Sequence, residues 1–272
     1  MRSILATLAA ICTLCLCAAP TKSSVAARHL VKCIEGVPTA ADYVQTGLQN
    51  QFDGIENVAA GQHDPTTTQW LDLKTGGYFF NIAAAYADCV SFTGSNSVFS
   101  GPGASAGFSV DHDLTLHAVI TAPRSISYTT QAMIALGRDS FSKNGFVLGG
   151  LAGYANAQAF WASAYSGGTR YLVDTGKGAS SKFAYTVAFD YDSLQFEVYI
   201  NGVKVGATQT ISADVWNLDG KTDVRLGMGA NSGSLNDGSG FRLHSVLLYN
   251  RTLSAAEVAA NYAIDKERFG LP

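Results

Sequence analysis

Residues 183–209, FAYTVAFDYDSLQFEVYINGVKVGATQ, carry the clearest alternation of apolar and polar positions in the chain. Phe183, Tyr185, Val187 and Phe189 alternate with Ala184, Thr186 and Ala188, the period-two pattern of a half-buried strand. Asp190-Tyr191-Asp192-Ser193 reads as a turn, after which Leu194, Phe196, Val198 and Ile200 share one face and Gln195, Glu197, Tyr199 and Asn201 the other. Asn201-Gly202 suits a type I′ turn, and Val203 to Gly206 returns antiparallel. The product is a three-stranded meander. It is apolar on one side, so the rest of the chain must supply a second layer.

The same reading finds a first strand within Arg28 to Asp53, centred on Tyr43 to Leu48, and a loop rich in Gly, Asn, Thr and Asp from Asp53 to Trp70. Short strands follow at Trp70–Leu73, Tyr78–Tyr86, Cys89–Phe92, Phe108–Val110, Asp113–Thr121, Gln131–Gly137, Gly145–Gly150, Gln158–Ala164 and Arg170–Val173. Asp223–Met228 and Phe241–Leu248 come after the meander. About a dozen short strands with no long helical pattern predict an all-β fold, a two-sheet antiparallel sandwich in one domain. Only the end differs. Ser254 and Glu257 form a capping box and Leu253 can staple onto Val258, which predicts a short C-terminal helix from Ala255 to Tyr262 lying against the sandwich rim.

The formal charge is −3 and no run of Lys or Arg occurs, which argues against nucleic acid as a partner. Arg2 followed by the apolar run Ile4 to Ala19 has the layout of a secretory signal peptide. Ser24-Val25-Ala26 fits the cleavage rule best, with Cys17-Ala18-Ala19 as the alternative. The expected organisation is a leader over 1–26 and a single domain over 27–272, with no membrane span after cleavage. The destination is secreted, or the cell surface or periplasm. Cleavage also removes Cys12, Cys15 and Cys17. The remaining pair, Cys33 and Cys89, in an oxidising compartment predicts one disulfide, against the alternative of two unpaired core residues.

Phe196-Glu197-Val198-Tyr199-Ile200-Asn201-Gly202 with Val205-Gly206, then Val224-Arg225-Leu226-Gly227, resemble consecutive strands of the laminin-G-like domains of the concanavalin A-like lectin/glucanase superfamily. The stretch from Phe241 to Val258 is similar to the closing strand and helix of bacterial secreted members, and Gln51 to Asn57 with Thr68 to Leu73 is similar to their opening. The resemblance implies a jelly-roll sandwich that binds glycans or protein ligands, and in some members a structural calcium ion. Asp53 matches the acidic opening position and is the candidate calcium ligand, although it can equally cap the turn before Gly54. Many members carry an acidic residue where this chain has Leu243 and His244.

The superfamily's glucanases pair carboxyls on one strand, because glycoside cleavage needs two of them facing one bond. The chain has five Glu residues, Glu35, Glu56, Glu197, Glu257 and Glu267, none of them in such a motif. Glu197 reads as a solvated strand carboxylate, while an inverting pair drawn from separate strands stays open. Gly103-Ala104-Ser105-Ala106-Gly107 fits a nucleophile-elbow pattern only literally, since a strand-like segment follows it rather than a helix. His63, His112, His117 and His244 lack metal-ligand spacing and read as surface or sheet-edge residues. Sugar faces stack on aromatic rings and sugar hydroxyls pair with amides and carboxylates. Tyr154, Asn156, Trp161 and Tyr165, with Asn236 and Asp237 in a polar rim loop, are therefore the candidate ligand-binding residues. Trp161 and Phe160 can also simply divide between core and surface. The expectation is a secreted, non-catalytic, lectin-like module binding glycans or cell-surface ligands. The alternatives are a structural or adhesion domain for protein partners and a glycoside hydrolase of the same superfamily.

Overall fold

The computed structural model describes residues 38–75, 77–92, 97–98, 113–122, 131–136, 145–151, 159–166, 169–178, 180–211, 224–226 and 242–272. In chain order the described strands are β1 (Leu48–Asp53), β2 (Gln69–Leu71), β3 (Phe79–Asn81), β4 (Ala84–Ala85), β5 (Val90–Ser91), β6 (Ser97–Val98), β7 (Leu114–Thr121) and β8 (Gln131–Leu136). They continue as β9 (Gly145–Leu151), β10 (Ala159–Ser166), β11 (Thr169–Lys177), β12 (Lys182–Asp190), β13 (Gln195–Ile200), β14 (Val203–Thr210), β15 (Val224–Leu226) and β16 (Arg242–Tyr249), and the helix α1 (Ala255–Phe269) closes the chain. The strands form an eight-stranded antiparallel sheet in the order β14-β13-β12-β7-β16-β5-β4, with β1 also paired to β16. A six-stranded sheet runs β11-β10-β9-β8-β15-β6, and β2 pairs β3.

The meander forms as the alternation dictates. Phe183, Tyr185, Val187 and Phe189 on β12, with Phe196, Val198 and Ile200 on β13, are buried in the main core between the sheets. Asn201 and Gly202 both take positive φ, 51° and 74°, as a type I′ turn requires. Leu114, Leu116, Ala118 and Ile120 of β7 point into the same core, met from the six-stranded sheet by Ile134, Phe146, Phe160, Ala162, Ala164 and Val173. Phe146 packs on both Phe189 and Phe196 with ring centres 5.5 Å apart, which locks the two sheets face to face.

A second layer covers the outer face of the eight-stranded sheet. Tyr43, Leu48, Ala188, Tyr199, Leu247, Tyr249, Leu253 and Val258 form one apolar cluster there, and Ile55, Val119, Ala184, Phe269 and Leu271 another. The helix therefore lies across the sheet rather than on the rim, and it runs to Phe269 rather than Tyr262. The capping box of Ser254 and Glu257 is present as the sequence predicts, and Gly270 ends the helix in the left-handed conformation at φ 65°. The first strand is likewise displaced, to Leu48–Asp53 instead of Tyr43–Leu48. Tyr43 instead follows a short 3-10 turn, Ala40–Asp42, and is buried beneath the helix.

Candidate functional site

The outer faces of the two sheets differ. The helix and the segment at Tyr43 roof the eight-stranded sheet, whereas β11 of the six-stranded sheet exposes Leu172 and Asp174 to solvent. Register fixes which positions share that outer face. Phe160, Ala162 and Ala164 of β10 belong to the core, so Trp161 and Ser163 fall on the outside, with Tyr165 the next position in the same alternation. Across the ladder they oppose Asp174, Leu172 and Arg170 on β11, and Gly149, Val147 and Gly145 on β9. Arg225 of β15 opposes Ala135, which opposes Val147, so its position continues the same row. In the described strands of this sheet Arg170, Lys177 and Arg225 stand against one acidic residue, Asp174, in a chain that is acidic as a whole.

Trp161 is not a bare stacking platform. The residue is 3% exposed, and the Arg170 guanidinium carbon lies 4.1 Å from the ring centre, so a cation covers the face that a sugar would use. Beside it Ser163 is 1% exposed, and its Oγ has no hydrogen-bond partner among the described residues. Leu172, directly opposite, is 40% exposed. An unpaired buried hydroxyl is costly unless a ligand or water completes it. Tyr165 holds a register position opposite Arg170 and Gly145, while Tyr154, Asn156, Asn236, Asp237 and the Gly103 to Gly107 segment lie outside the described residues.

Asp53 does not fit calcium. Its Oδ2 lies 2.6 Å from the Arg268 guanidinium, and its Oδ1 accepts from the amides of Ile55 and Glu56 at 2.8 and 3.0 Å. Calcium needs a shell of oxygen ligands. Here a cationic side chain and two N–H donors occupy both carboxylate oxygens, so Asp53 caps the turn at Gly54 and anchors the helix. Burial pushes its carboxyl up from the ordinary value and Arg268 pulls it back.

Two of the histidines are not surface residues. His117 is fully buried under α1, with Nε2 2.7 Å from Asp265 Oδ2 and Nδ1 2.7 Å from Thr186 Oγ1. His244 is buried on β16, where Asp88 and Cys89 from the β4–β5 turn approach it. Asp88 and Cys89 are neighbours in sequence but His244 lies 155 positions beyond Cys89, so no spacing motif could announce the three together. His244 hydrogen-bonds the Asp88 side chain and, with Lys182 adding to it, holds that carboxyl well below the usual range. Burial, and the carboxylate next to it, push the Cys89 thiol up to about 12. Cys89 carries a free thiol in this structure, and its expected partner Cys33 lies outside the described residues.

Glu197 is a supported surface carboxylate. Lys204 Nζ and Thr208 Oγ1 reach its Oε1 at 2.6 and 2.9 Å, and Tyr199 donates to its Oε2 at 2.5 Å. It stands on β13, in the other sheet from Trp161.

The laminin G-type profile of the concanavalin A-like lectin/glucanases superfamily matches residues 93–259. The chain belongs to that superfamily, and its two antiparallel sheets with a short C-terminal helix are the architecture that membership implies. Among solved structures it is similar to Trypanosoma rangeli sialidase in complex with sialic acid, at 18% identity and a TM-score of 0.56 over 85% of this chain and 34% of the sialidase. It is also similar to a botulinum neurotoxin type C structure whose cell entry depends on two ganglioside molecules, at 11% identity and a TM-score of 0.54 over 80% of this chain and 51% of that one. The chain thus spans about a third of the sialidase chains it resembles, and the likeness is one of fold. No curated protein sequence matches it. No helix among the described residues is long and apolar enough to cross a membrane.

Proposed function

We propose that the protein is an exported, non-catalytic module that binds glycans on the outer face of the six-stranded sheet. The observation that carries this reading is Ser163. A buried hydroxyl without a partner stands on this face, between the Arg170-covered Trp161 and Leu172, which is exposed on the neighbouring edge strand. A sugar hydroxyl would supply the missing hydrogen bond and Arg170 and Asp174 the polar contacts around it. The solved structures similar in fold include proteins described with sialic acid and gangliosides, which agrees with a sugar ligand and, with the basic bias of this sheet, with an anionic one. Export follows from the Arg2 and Ile4–Ala19 leader pattern.

Absence of catalysis rests on the carboxylates. Glycoside cleavage by the usual route needs two of them across one bond, and Asp174 is the one acidic residue in the described strands of this sheet. The test is a glycan array and polysaccharide pull-down with the purified protein, alongside Arg170→Met and Asp174→Asn. Sugar capture weakened by either change supports the reading. Silence on all glycans overturns it in favour of a protein-binding domain, and sugar release lost in Asp174→Asn or Glu197→Gln overturns it in favour of a hydrolase.

A further inference from the structure

The last strand meets two neighbours along one edge. Ser245 to Tyr249 of β16 pair with β1, Arg242 and Leu243 pair with β5, and His244 sits at the break. The ladder to β7 also slips between Leu243 and Ser245, so His244 is the extra residue of a bulge. Bulges re-aim a side chain out of the regular alternation. Here the imidazole is held on every side. Nε2 lies 2.8 Å from Thr121 Oγ1, Nδ1 lies 2.9 Å from the Asp88 carbonyl and 3.4 Å from Asp88 Oδ2, and the ring packs on Phe269. The turn that brings Asp88 and Cys89 close is pressed against Gly54, where any Cβ would lie 2.6 Å from the Asp88 carbonyl oxygen.

We infer that Asp88, Cys89 and His244 form a binding site for a divalent transition ion of the zinc class, with solvent as the fourth ligand. One nitrogen, one sulfur and one oxygen atom lie within 4.8 Å of one another. In a tetrahedral zinc site with bonds of 2.0–2.3 Å, neighbouring ligand atoms stand roughly 3.3–3.8 Å apart, so the cluster needs a contraction of roughly 1 Å. The His244–Asp88 edge is already 3.4 Å. A mixed thiolate, imidazole and carboxylate set selects zinc or cobalt over calcium or magnesium. Cys89 and His244 are buried, whereas the Asp88 side chain is 43% exposed, which leaves an entry path and a solvent-facing fourth position.

The proton balance is simple. The Asp88 carbonyl can only accept, so Nδ1 carries the hydrogen in the metal-free protein and Nε2 accepts from Thr121. Metal binding moves that hydrogen to Nε2, where the Thr121 hydroxyl turns from donor to acceptor, and the Cys89 thiol releases one proton to solvent. Thr121 is thus a positioning residue that keeps a partner in both states. Lys182 works against the ion: its ammonium is 3.3 Å from Asp88 Oδ2 and also donates to the Phe269 carbonyl. Arg242, stacked on Tyr86, is the other cation facing Cys89.

The experiment titrates cobalt(II) into the reduced, chelator-stripped protein and follows the thiolate-to-cobalt charge-transfer band, then displaces it with zinc. One equivalent with that band is expected. Cys89→Ser should abolish the band and Asp88→Asn should weaken binding, with circular dichroism checking that each variant is folded. Thr121→Val should weaken it about 10- to 100-fold, whereas Lys182→Met should tighten it roughly tenfold as a like charge is removed. A purely structural role for these side chains would give no tightening. No thiolate band in the reduced protein, a band unchanged by Cys89→Ser, or a protein isolated two hydrogens light with Cys89 bridged to Cys33 would each overturn the site.

Discussion

His117 Nε2 and Asp265 Oδ2 lie 2.7 Å apart between β7 and the helix, with both side chains wholly removed from solvent. The other oxygen of Asp265 accepts from the Tyr43 hydroxyl at 2.7 Å, and the other nitrogen of His117 meets Thr186. One carboxylate therefore joins the helix, the central strand and the segment ahead of β1. Removing one partner of such a pair strands the other, so Asp265→Ala should cost about 3–5 kcal/mol in urea unfolding. The double variant His117→Leu with Asp265→Leu should recover part of that loss, and a double variant as unstable as the single one would refute the pairing.

Arg268 holds a second buried set, with Nη2 2.6 Å from Asp53 and 3.3 Å from Glu56, and Nη1 donating to the Pro38 carbonyl at 3.0 Å. Arg268→Met should destabilise by about 3–5 kcal/mol at neutral pH. Burial already raises the Asp53 carboxyl, and loss of the guanidinium raises it further. A folded value above the unfolded one means that the folded state binds more protons, so the variant should gain stability as pH falls from neutral through that raised value. Chemical denaturation at stepped pH reads this directly; a variant that only weakens on acidification would contradict it.

Glu257 titrates the other way. Arg251, reaching it at 2.6 and 2.9 Å, and then the Ser254 cap hold its carboxyl down at about 2. Its folded value lies below the unfolded one, so its contribution is complete above about pH 4.5 and fades as pH falls toward 2. Glu257→Gln should cost about 1 kcal/mol at pH 7, given the partial exposure of the pair. The difference from the parent should close in acid. A gap that stays constant from pH 7 to pH 2 would remove the ion pair from the account.

Gly54 has an ordinary backbone but no room. A Cβ there would stand 2.6 Å from the Asp88 carbonyl oxygen and 2.7 Å from Cys89 Cα, both of them backbone atoms that cannot rotate away. Gly54→Ala should cost about 1–3 kcal/mol. Gly176→Ala, where φ is 65° but nothing stands within 4 Å, should lose only the backbone term of about 1 kcal/mol. Equal losses in thermal melts would show that the crowding is absent.

The sequence made the meander legible because its two faces differ at every second residue from Phe183 to Ile200. The sequence pattern ends the helix at Tyr262 because the face it buries beyond that point carries Asp265 and Arg268, which hydropathy assigns to solvent. The same polarity hides β1, since Asn50, Gln51 and Asp53 are buried on Asp72, Ala40 and the distant Arg268, partners that hydropathy does not reveal. Trp161 alternates with the core position Phe160 on β10, but the Arg170 that covers it comes from the next strand and no spacing foretells the stacking. His244, Cys89 and Asp88 meet only through a bulge and a turn, features set by tertiary pairing. Asp53 matched a family position, and only its distant partner Arg268 shows which cation it serves.

The pairing of β1 with β16 also sets a timetable for folding. Asp53 and the Arg268 that neutralises it are 215 residues apart, and β1 finds its hydrogen-bonding edge only on the last strand of the chain. During synthesis at roughly 5–20 residues per second, the first strand waits tens of seconds with its charges in water before its neighbour exists. Non-local closure of this kind places the domain among slow folders. The first of the described strands cannot close its ladder until the last one has been made.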